Sequence, residues 1–203
     1  MLPAPQAGLP APRAGLPAPR TPEGPRYDAG PAEGAATAPS ARPETGDPVP
    51  GFLLENQYGE RLGSAPEGGL GEEDYFLVFF PFAFSRVCTG ELEALESLRP
   101  ELRSRGVRIL AVSVDHKYAL RAYAQELGLG FDLLADFWPH GAAATAFGCF
   151  DAVRGMATRS TFLVSGGRVA AHFASPVGQG RNPEEYRAAV DGLRSGERPG
   201  APD

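Results

Sequence analysis

Hydrophobic residues form one continuous apolar run near the middle of the chain, at residues 75–80, and Pro81 ends it. A run of this length is typical of a strand that is buried on both faces. From Val87 onwards the apolar residues follow the spacing of a helix. The apolar face of this helix carries Leu92, Leu95, Leu98 and Leu102. The pattern therefore predicts a buried strand, a turn and a helix, with a kink at Pro100 and an end at Gly106.

The segments around this unit predict a hairpin before it and alternating strands and helices after it. The hairpin strands are residues 52–55 and 60–62. The later elements are a strand at 107–114, a helix at 116–127, a strand at 131–134, a helix at 141–147, strands at 161–165 and 168–174, and a helix at 183–193. Strands joined through helices pair in parallel, whereas the Gly-Gly turn at 166–167 favours an antiparallel hairpin. This order resembles a thioredoxin-like fold, an α/β fold with a central mixed sheet flanked by helices.

The distribution of proline divides the chain into a tail and a domain. More than half of the 21 prolines lie before Asp47, where the sequence LPAPQAG recurs with small changes. Such a segment cannot bury enough apolar surface to offset the entropy that ordering costs. We therefore expect a disordered, partly polyproline-II tail at 1–46, one folded domain at 47–194, and a fraying C-terminal tail at 195–203. A tail that docks into an aromatic groove of a partner is the alternative.

The charges and cysteines exclude several classes of protein. A net charge of −6 without a basic cluster argues against a nucleic-acid partner. Two cysteines, Cys88 and Cys149, do not make a disulfide framework, and the three histidines lack the spacing of a metal site, so we expect no metal and no other cofactor. No apolar stretch approaches about 18 residues and no leader pattern is present, which predicts a cytoplasmic protein without a membrane partner.

Cys88 has the setting of a reactive thiol. It follows the predicted buried strand by a short turn and lies in the first turn of the predicted helix. The first turn of a helix has unpaired backbone N–H groups and a partial positive charge, and both favour a thiolate over a thiol. The alternative is a small apolar side chain that fills space at a strand–helix junction, because buried free cysteine is common.

The residues before Cys88 resemble the active-site motif of the peroxiredoxins, in which proline, then threonine or serine, then cysteine follow at fixed spacing. Pro81, Ser85 and Cys88 match this motif, and the predicted strand and helix match its context. The resemblance implies that Cys88 is the catalytic nucleophile, that the Ser85 hydroxyl contacts the thiolate or the peroxide, and that Pro81 shields the sulfur from water. It also implies backbone N–H donors at Val87 and Cys88.

Two further residues fit the same resemblance. Arg159 lies just before a predicted strand, and the resemblance implies that its guanidinium holds the Cys88 thiolate and the peroxide oxygens. Seen alone, it would be an ordinary arginine at a strand edge. Glu91 lies one turn after Cys88, where the resemblance implies an acid that orients the arginine. A first-turn acid favoured by the helix dipole is the simpler explanation of Glu91, and both can hold.

The loop DFWPHGA at 136–142, together with FFPFAFSRVCTGEL at 79–92, resembles the alkyl hydroperoxide reductase E type of one-cysteine peroxiredoxins. The resemblance covers about residues 46–193. It implies a thiol-dependent peroxidase that reduces hydrogen peroxide and organic hydroperoxides through a Cys88 sulfenic acid. It also implies recycling by an external thiol, either mycothiol with mycoredoxin or a thioredoxin-like protein, and assembly into a homodimer or larger.

Three alternatives to this mechanism differ in the role of the cysteines. Cys149 is either a buried structural thiol or a resolving cysteine that closes a disulfide with Cys88 in a two-cysteine peroxidase. A peroxide sensor or holdase would use the same Cys88 sulfenic acid for signalling. A thioredoxin-type disulfide oxidoreductase would need a second cysteine three residues after Cys88, where the chain has Glu91.

Overall fold

The apolar run at 75–80 forms the strand around which the domain is built. The computed structural model describes residues 41–176 and 178–195, so most of the predicted tail at 1–46, and the C-terminal tail from residue 196, lie outside the described residues. The strands are β1 (Leu53–Asn56), β2 (Arg61–Gly63), β3 (Asp74–Phe79), β4 (Val107–Ser113), β5 (Asp132–Ala135), β6 (Phe150–Asp151), β7 (Met156–Ala157), β8 (Ser160–Ser165) and β9 (Arg168–Ala174). The α-helices are α1 (Arg86–Ser104), α2 (Lys117–Leu127), α3 (Ala142–Ala146) and α4 (Pro183–Arg194).

The predicted central mixed sheet is confirmed. Among the described residues, seven strands form one sheet in the order β2-β1-β5-β4-β3-β8-β9. The pairs β3–β4 and β4–β5 are parallel, as their helical connections require, and the other pairs are antiparallel. Since β3 is flanked by β4 and β8, the end of β3 meets the beginning of β8. This topology brings Cys88 and Arg159, which are far apart in sequence, to the same corner of the sheet.

Successive residues of β3 point to opposite faces of the sheet and enter two separate hydrophobic cores. Phe76 and Val78 belong to the first core, which also contains the apolar faces of α1, α2 and α4. Tyr75, Leu77 and Phe79 belong to the second core, which α3 covers. All five side chains are buried, which explains why β3 has an unbroken apolar sequence instead of an alternating one.

The end of α1 agrees with the sequence prediction, and one short hairpin was not predicted. α1 continues through Pro100 and ends at Ser104, and Gly106 then adopts a left-handed conformation with φ 77°, which supports the predicted end. The short hairpin of β6 and β7 was not predicted, because two-residue strands are too short to give a periodic pattern.

Residues 46–49 run along β9 and protect part of its edge. Gly46 donates its backbone N–H to Val169, Val169 donates to Asp47, and Val49 donates to Gly167. The guanidinium of Arg168 also donates to the carbonyl oxygen of Gly46. An uncovered edge strand is a template for pairing with other chains, so this segment limits aggregation at the β9 edge.

Asp136 is a buried carboxyl group at the start of α3. Its two oxygens accept the backbone N–H groups of Ala143 and Ala144, at 3.0 and 2.9 Å. Burial raises the pKa of Asp136 from its ordinary value of 3.8 to about 6, against the opposing effect of these hydrogen bonds. A group whose pKa is raised by folding stabilises the fold below its unfolded pKa, and this stabilisation is lost as the pH rises through the folded pKa.

We expect the pH dependence of the free energy of unfolding to report the ionisation of Asp136. The free energy of unfolding of the wild type, relative to that of Asp136→Asn, should fall by about 1 kcal/mol between pH 5 and pH 7. Urea denaturation of both proteins at the two pH values measures it, and the other titrating groups cancel in the difference. A difference that is constant or grows with pH would show that Asp136 is ionised throughout.

Candidate active site

The end of β3 and the start of α1 place Cys88 at a helix N-terminus, as predicted. Ser85 is the N-cap residue, and its carbonyl oxygen accepts the first helical hydrogen bond, from the N–H of Thr89 at 2.9 Å. The N–H groups of Val87 and Cys88 therefore precede the helical hydrogen-bond ladder. Cys88 itself has an exposed fraction of 0% and packs in the first core. Its sulfur thus lies in a dry site beside unpaired backbone donors.

A buried guanidinium contacts the sulfur. Arg159 Nη2 donates to Cys88 Sγ at 3.3 Å, and Arg159 Nε donates to Glu91 Oε2 at 2.8 Å. Glu91 lies one helical turn after Cys88, so a single turn of α1 carries both groups that bind the arginine. The structure therefore brings together three residues that the sequence singled out, in the arrangement that the resemblance implied.

A second arginine, Arg181, was not predicted and completes the cluster. Its backbone N–H and its Nη1 donate to Glu91 Oε1 at 3.0 and 3.1 Å. Its Nη2 donates to the backbone carbonyl oxygens of Phe79 and Ser160, which end β3 and begin β8. Arg181 therefore fixes Glu91 and joins the two strands that carry the site.

The sequence contains one signal for this arginine. Arg181 directly precedes Asn182, whose side chain caps α4 in a capping box. A cation at this end of a helix opposes the helix dipole, so its presence suggests a specific anionic partner. The sequence does not say which one, because Glu91 lies 90 residues away.

The charges of this cluster favour an anion at the sulfur. Arg159, Arg181 and Glu91 are all buried, and together they carry one net positive charge. An uncompensated charge is costly in a dry interior. A negative sulfur on Cys88 would bring the cluster to neutrality, which is the charge arrangement that a thiolate nucleophile needs.

The Ser85 hydroxyl is free for a ligand. Its Oγ atom is buried, does not cap α1, and has no hydrogen-bond partner within the described part of the chain. An unpaired buried hydroxyl is costly and uncommon, and such groups concentrate at functional sites. Pro81, two residues after the end of β3, is also buried.

Asp115 anchors the loop between Pro81 and Ser85. Its Oδ2 accepts the backbone N–H of Ala83 and the hydroxyl of Ser113, both at 2.8 Å. This contact ties the loop to the end of β4. It was not predicted, since an aspartate after a strand has many ordinary roles.

Cys149 lies on the other side of the sheet from Cys88. It is 2% exposed and packs in the second core with Phe147, Ala157 and Phe162. Burial, and then the nearby charge of Asp136, raise the pKa of the Cys149 thiol well above its usual range. The sheet itself separates the two thiols, which are both reduced.

The described residues contain neither a metal-binding group of side chains nor a membrane-spanning helix. Across 41–176 and 178–195, no three His, Cys, Asp or Glu side chains are grouped so that they could hold a metal ion. In the same ranges no helix combines the length and the apolar character that crossing a bilayer requires.

The sequence is similar to a known family and to curated proteins. The model of the AhpC/TSA family matches residues 45–172. Alkyl hydroperoxide reductase E of Mycobacterium tuberculosis is 39% identical over 119 residues, which are 59% of this chain and 76% of that protein. Alkyl hydroperoxide reductase C of the same organism is 33% identical over 124 residues, which are 59% of this chain and 62% of that protein.

A solved structure extends the similarity to the fold. The crystal structure of Enterococcus faecalis AhpC superposes with a TM-score of 0.67 at 25% identity, and covers 77% of this chain and 96% of that one. The predicted thioredoxin-like architecture and the predicted family are thereby confirmed. The chain belongs to the AhpC/TSA family and is a peroxiredoxin of the alkyl hydroperoxide reductase E type, a thiol-dependent hydroperoxide reductase.

Proposed function

We propose that Cys88 is the nucleophile with which this peroxidase reduces hydrogen peroxide and organic hydroperoxides. The observation that carries the assignment is the 3.3 Å contact between Arg159 Nη2 and Cys88 Sγ. It puts a permanent cation on the sulfur of a cysteine that also lies at a helix N-terminus. Cys149 has neither feature, since it lies in an apolar core.

In the first half-reaction the Cys88 thiolate attacks one oxygen of ROOH. A sulfur–oxygen bond forms with an electron pair of sulfur, the oxygen–oxygen bond breaks, and the leaving RO⁻ takes up a proton to give ROH. Sulfur is oxidised to sulfenic acid, Cys88–SOH, and the peroxide is reduced. Negative charge develops on both oxygens, so donors already in place stabilise the transition state.

The surrounding groups divide this work. Arg159 Nη2 donates to the sulfur, and the N–H groups of Val87 and Cys88, which precede the helical hydrogen-bond ladder, are further donors. The unpaired Ser85 hydroxyl accepts the peroxide O–H or donates to an oxygen. Pro81 keeps bulk water from the sulfur, and Glu91 with Arg181 holds Arg159 in orientation.

We infer that an external thiol completes the cycle. One thiol R′SH attacks Cys88–SOH to give Cys88–S–SR′ and water, and a second thiol exchanges with this disulfide to release R′SSR″ and Cys88–SH. The position of Cys149 on the opposite face of the sheet supports an external reductant over internal resolution. Mycothiol with mycoredoxin, or a thioredoxin-like protein, is the reductant that we propose.

The test is the intact mass after one equivalent of hydrogen peroxide in the presence of dimedone, which traps sulfenic acids. We expect one adduct on the wild type and on Cys149→Ser, and none on Cys88→Ser. If the wild type instead lost two hydrogens and only Cys149→Ser were trapped, Cys149 would be a resolving cysteine. If neither protein reacted, Cys88 would not be the nucleophile.

We also propose a homodimer, formed through an aromatic surface beside the active site. This surface consists of Phe82, Phe84, Tyr118, Phe137 and Trp138, all exposed. They follow β3, β4 and β5, three adjacent strands, and the His116 ring contacts both Tyr118 and Phe137. Exposed aromatic groups at one edge suit an interface between copies, and Trp138 is 82% exposed.

Sedimentation velocity tests this interface. It should give a dimer for the wild type and a monomer for Trp138→Glu, and a wild-type monomer would reject the proposal.

A further inference from the structure

One buried tyrosine contacts the chain on both sides of Cys88. The ring of Tyr123, on α2, lies 4.8 Å from the ring of Phe84, and the Tyr123 hydroxyl is 3.0 Å from Thr89 Oγ1. Phe84 directly precedes Ser85, and Thr89 directly follows Cys88. These two contacts, here called the Tyr123 clamp, therefore enclose the segment that carries the hydroxyl and the thiol of the site.

Phe84 needs such support because of its backbone conformation. With φ 61°, it is the only residue other than glycine with a positive φ within 41–176 and 178–195. A left-handed backbone conformation is unfavourable in free energy for a bulky residue, and it persists only when the surrounding structure holds it. The Phe84 side chain is half exposed, and the Tyr123 ring is its aromatic neighbour. The position of Ser85 Oγ thus depends on how well Tyr123 holds Phe84.

The Tyr123 hydroxyl is suited to its contact with Thr89. Tyr123 is 1% exposed, and burial raises the pKa of its phenol, while the hydrogen bond with Thr89 opposes that change. The phenol is therefore neutral over the working pH range. A buried neutral hydroxyl that lost this partner would be left unsatisfied, so the bond resists displacement of the first turn of α1.

We propose that Tyr123 is a positioning residue, which holds Ser85 and Cys88 in the geometry that reacts with peroxide. The inference rests on the proposed role of Cys88 and goes beyond it. Tyr123 touches neither sulfur nor substrate in this role and acts through Phe84 and Thr89.

The clamp has opposite consequences for the two half-reactions. Cys88 is fully buried, which a small peroxide tolerates better than a thiol reductant, whose sulfur must reach Sγ directly. Holding residues 84–89 in place therefore favours oxidation and opposes reduction. Loosening the clamp should slow the first half-reaction and speed up the second, a pattern that general destabilisation does not produce.

The test uses Tyr123→Phe, which removes only the hydroxyl, and Thr89→Val, which removes the other partner at nearly constant shape. Tyr58→Phe is the matched control, since Tyr58 is an exposed tyrosine in the turn between β1 and β2, outside the aromatic surface. Stopped-flow measurements give the rate constant for oxidation by hydrogen peroxide and that for reduction of Cys88–SOH by dithiothreitol. Thermal unfolding of each variant gives its stability.

We expect Tyr123→Phe and Thr89→Val each to lower the oxidation rate constant about 3- to 10-fold and to raise the reduction rate constant by a similar factor. The double variant should equal either single one, because one hydrogen bond is lost in all three. If the variants kept both wild-type rates, or lost both rates together as stability fell, the positioning role of Tyr123 would be wrong and the proposed function of Cys88 would stand. A wild type that forms no Cys88 sulfenic acid would overturn the proposed function, and this inference with it.

Discussion

Replacing Arg159 by lysine is expected to lower the rate constant for oxidation of Cys88 by peroxide by about two to three orders of magnitude. The guanidinium is a rigid fork that directs Nε at Glu91 and Nη2 at the Cys88 sulfur. Lysine keeps the charge, but its ammonium is a point charge on a flexible stem and cannot reproduce this geometry. The fall in the oxidation rate constant therefore measures what the orientation of the guanidinium contributes, apart from its charge.

Stopped-flow measurement of the oxidation rate checks this expectation, with Arg168→Lys as the control. Arg168 is an exposed arginine on β9 that donates to the carbonyl oxygen of Gly46, far along the strand from the site. The control should react at the wild-type rate. If Arg159→Lys also retained most of the wild-type rate, a nearby positive charge would suffice and the proposed directional role of the guanidinium would be wrong.

Replacing Glu91 by alanine should destabilise the fold by about 3–5 kcal/mol, because it leaves two buried arginines without their anion. The Glu91 side chain pairs with Arg159 through one oxygen and with Arg181 through the other, and all three are almost completely buried. For a domain of this size, the loss corresponds to a fall of about 6–20 °C in Tm.

Glu93→Ala is the matched control for this experiment, since Glu93 is an exposed glutamate on the same helix. Its Tm should change little, as exposed charges contribute little to stability. Calorimetry of both variants gives the comparison. Equal changes in Tm for the two variants would mean that the buried pairs are not what stabilises this corner of the domain.

The elements of the fold could be predicted because they depend on local sequence. The apolar run at 75–80, the leucines of α1 and the capping residues of α4 each determine an element from a few neighbouring positions. The contact between Cys88 and Arg159 came from the resemblance to a family, because no local pattern links residues separated by 71 positions.

The other parts of the site could not be predicted for the same reason. Arg181 reaches Glu91 only because α4 packs on the first core, and Asp115 meets Ala83 only because β4 lies beside β3. Phe84 adopts a left-handed conformation although it is not a glycine, so the sequence carries no signal for it. The conformation follows from the way the loop is held. Such contacts are properties of the packed domain and leave little trace in the order of residues.

The separation of Cys88 and Cys149 by the sheet provides two internal reporters on one molecule. Thiol reagents that modify the native protein at Cys88 test the chemistry of the first core, while Cys149 stays protected under α3 in the second core. Cys149 becomes reactive only when that side of the sheet opens. In Cys88→Ser, the labelling rate of Cys149 would therefore measure how often this side of the fold opens. The measurement is independent of oxidation at the active site.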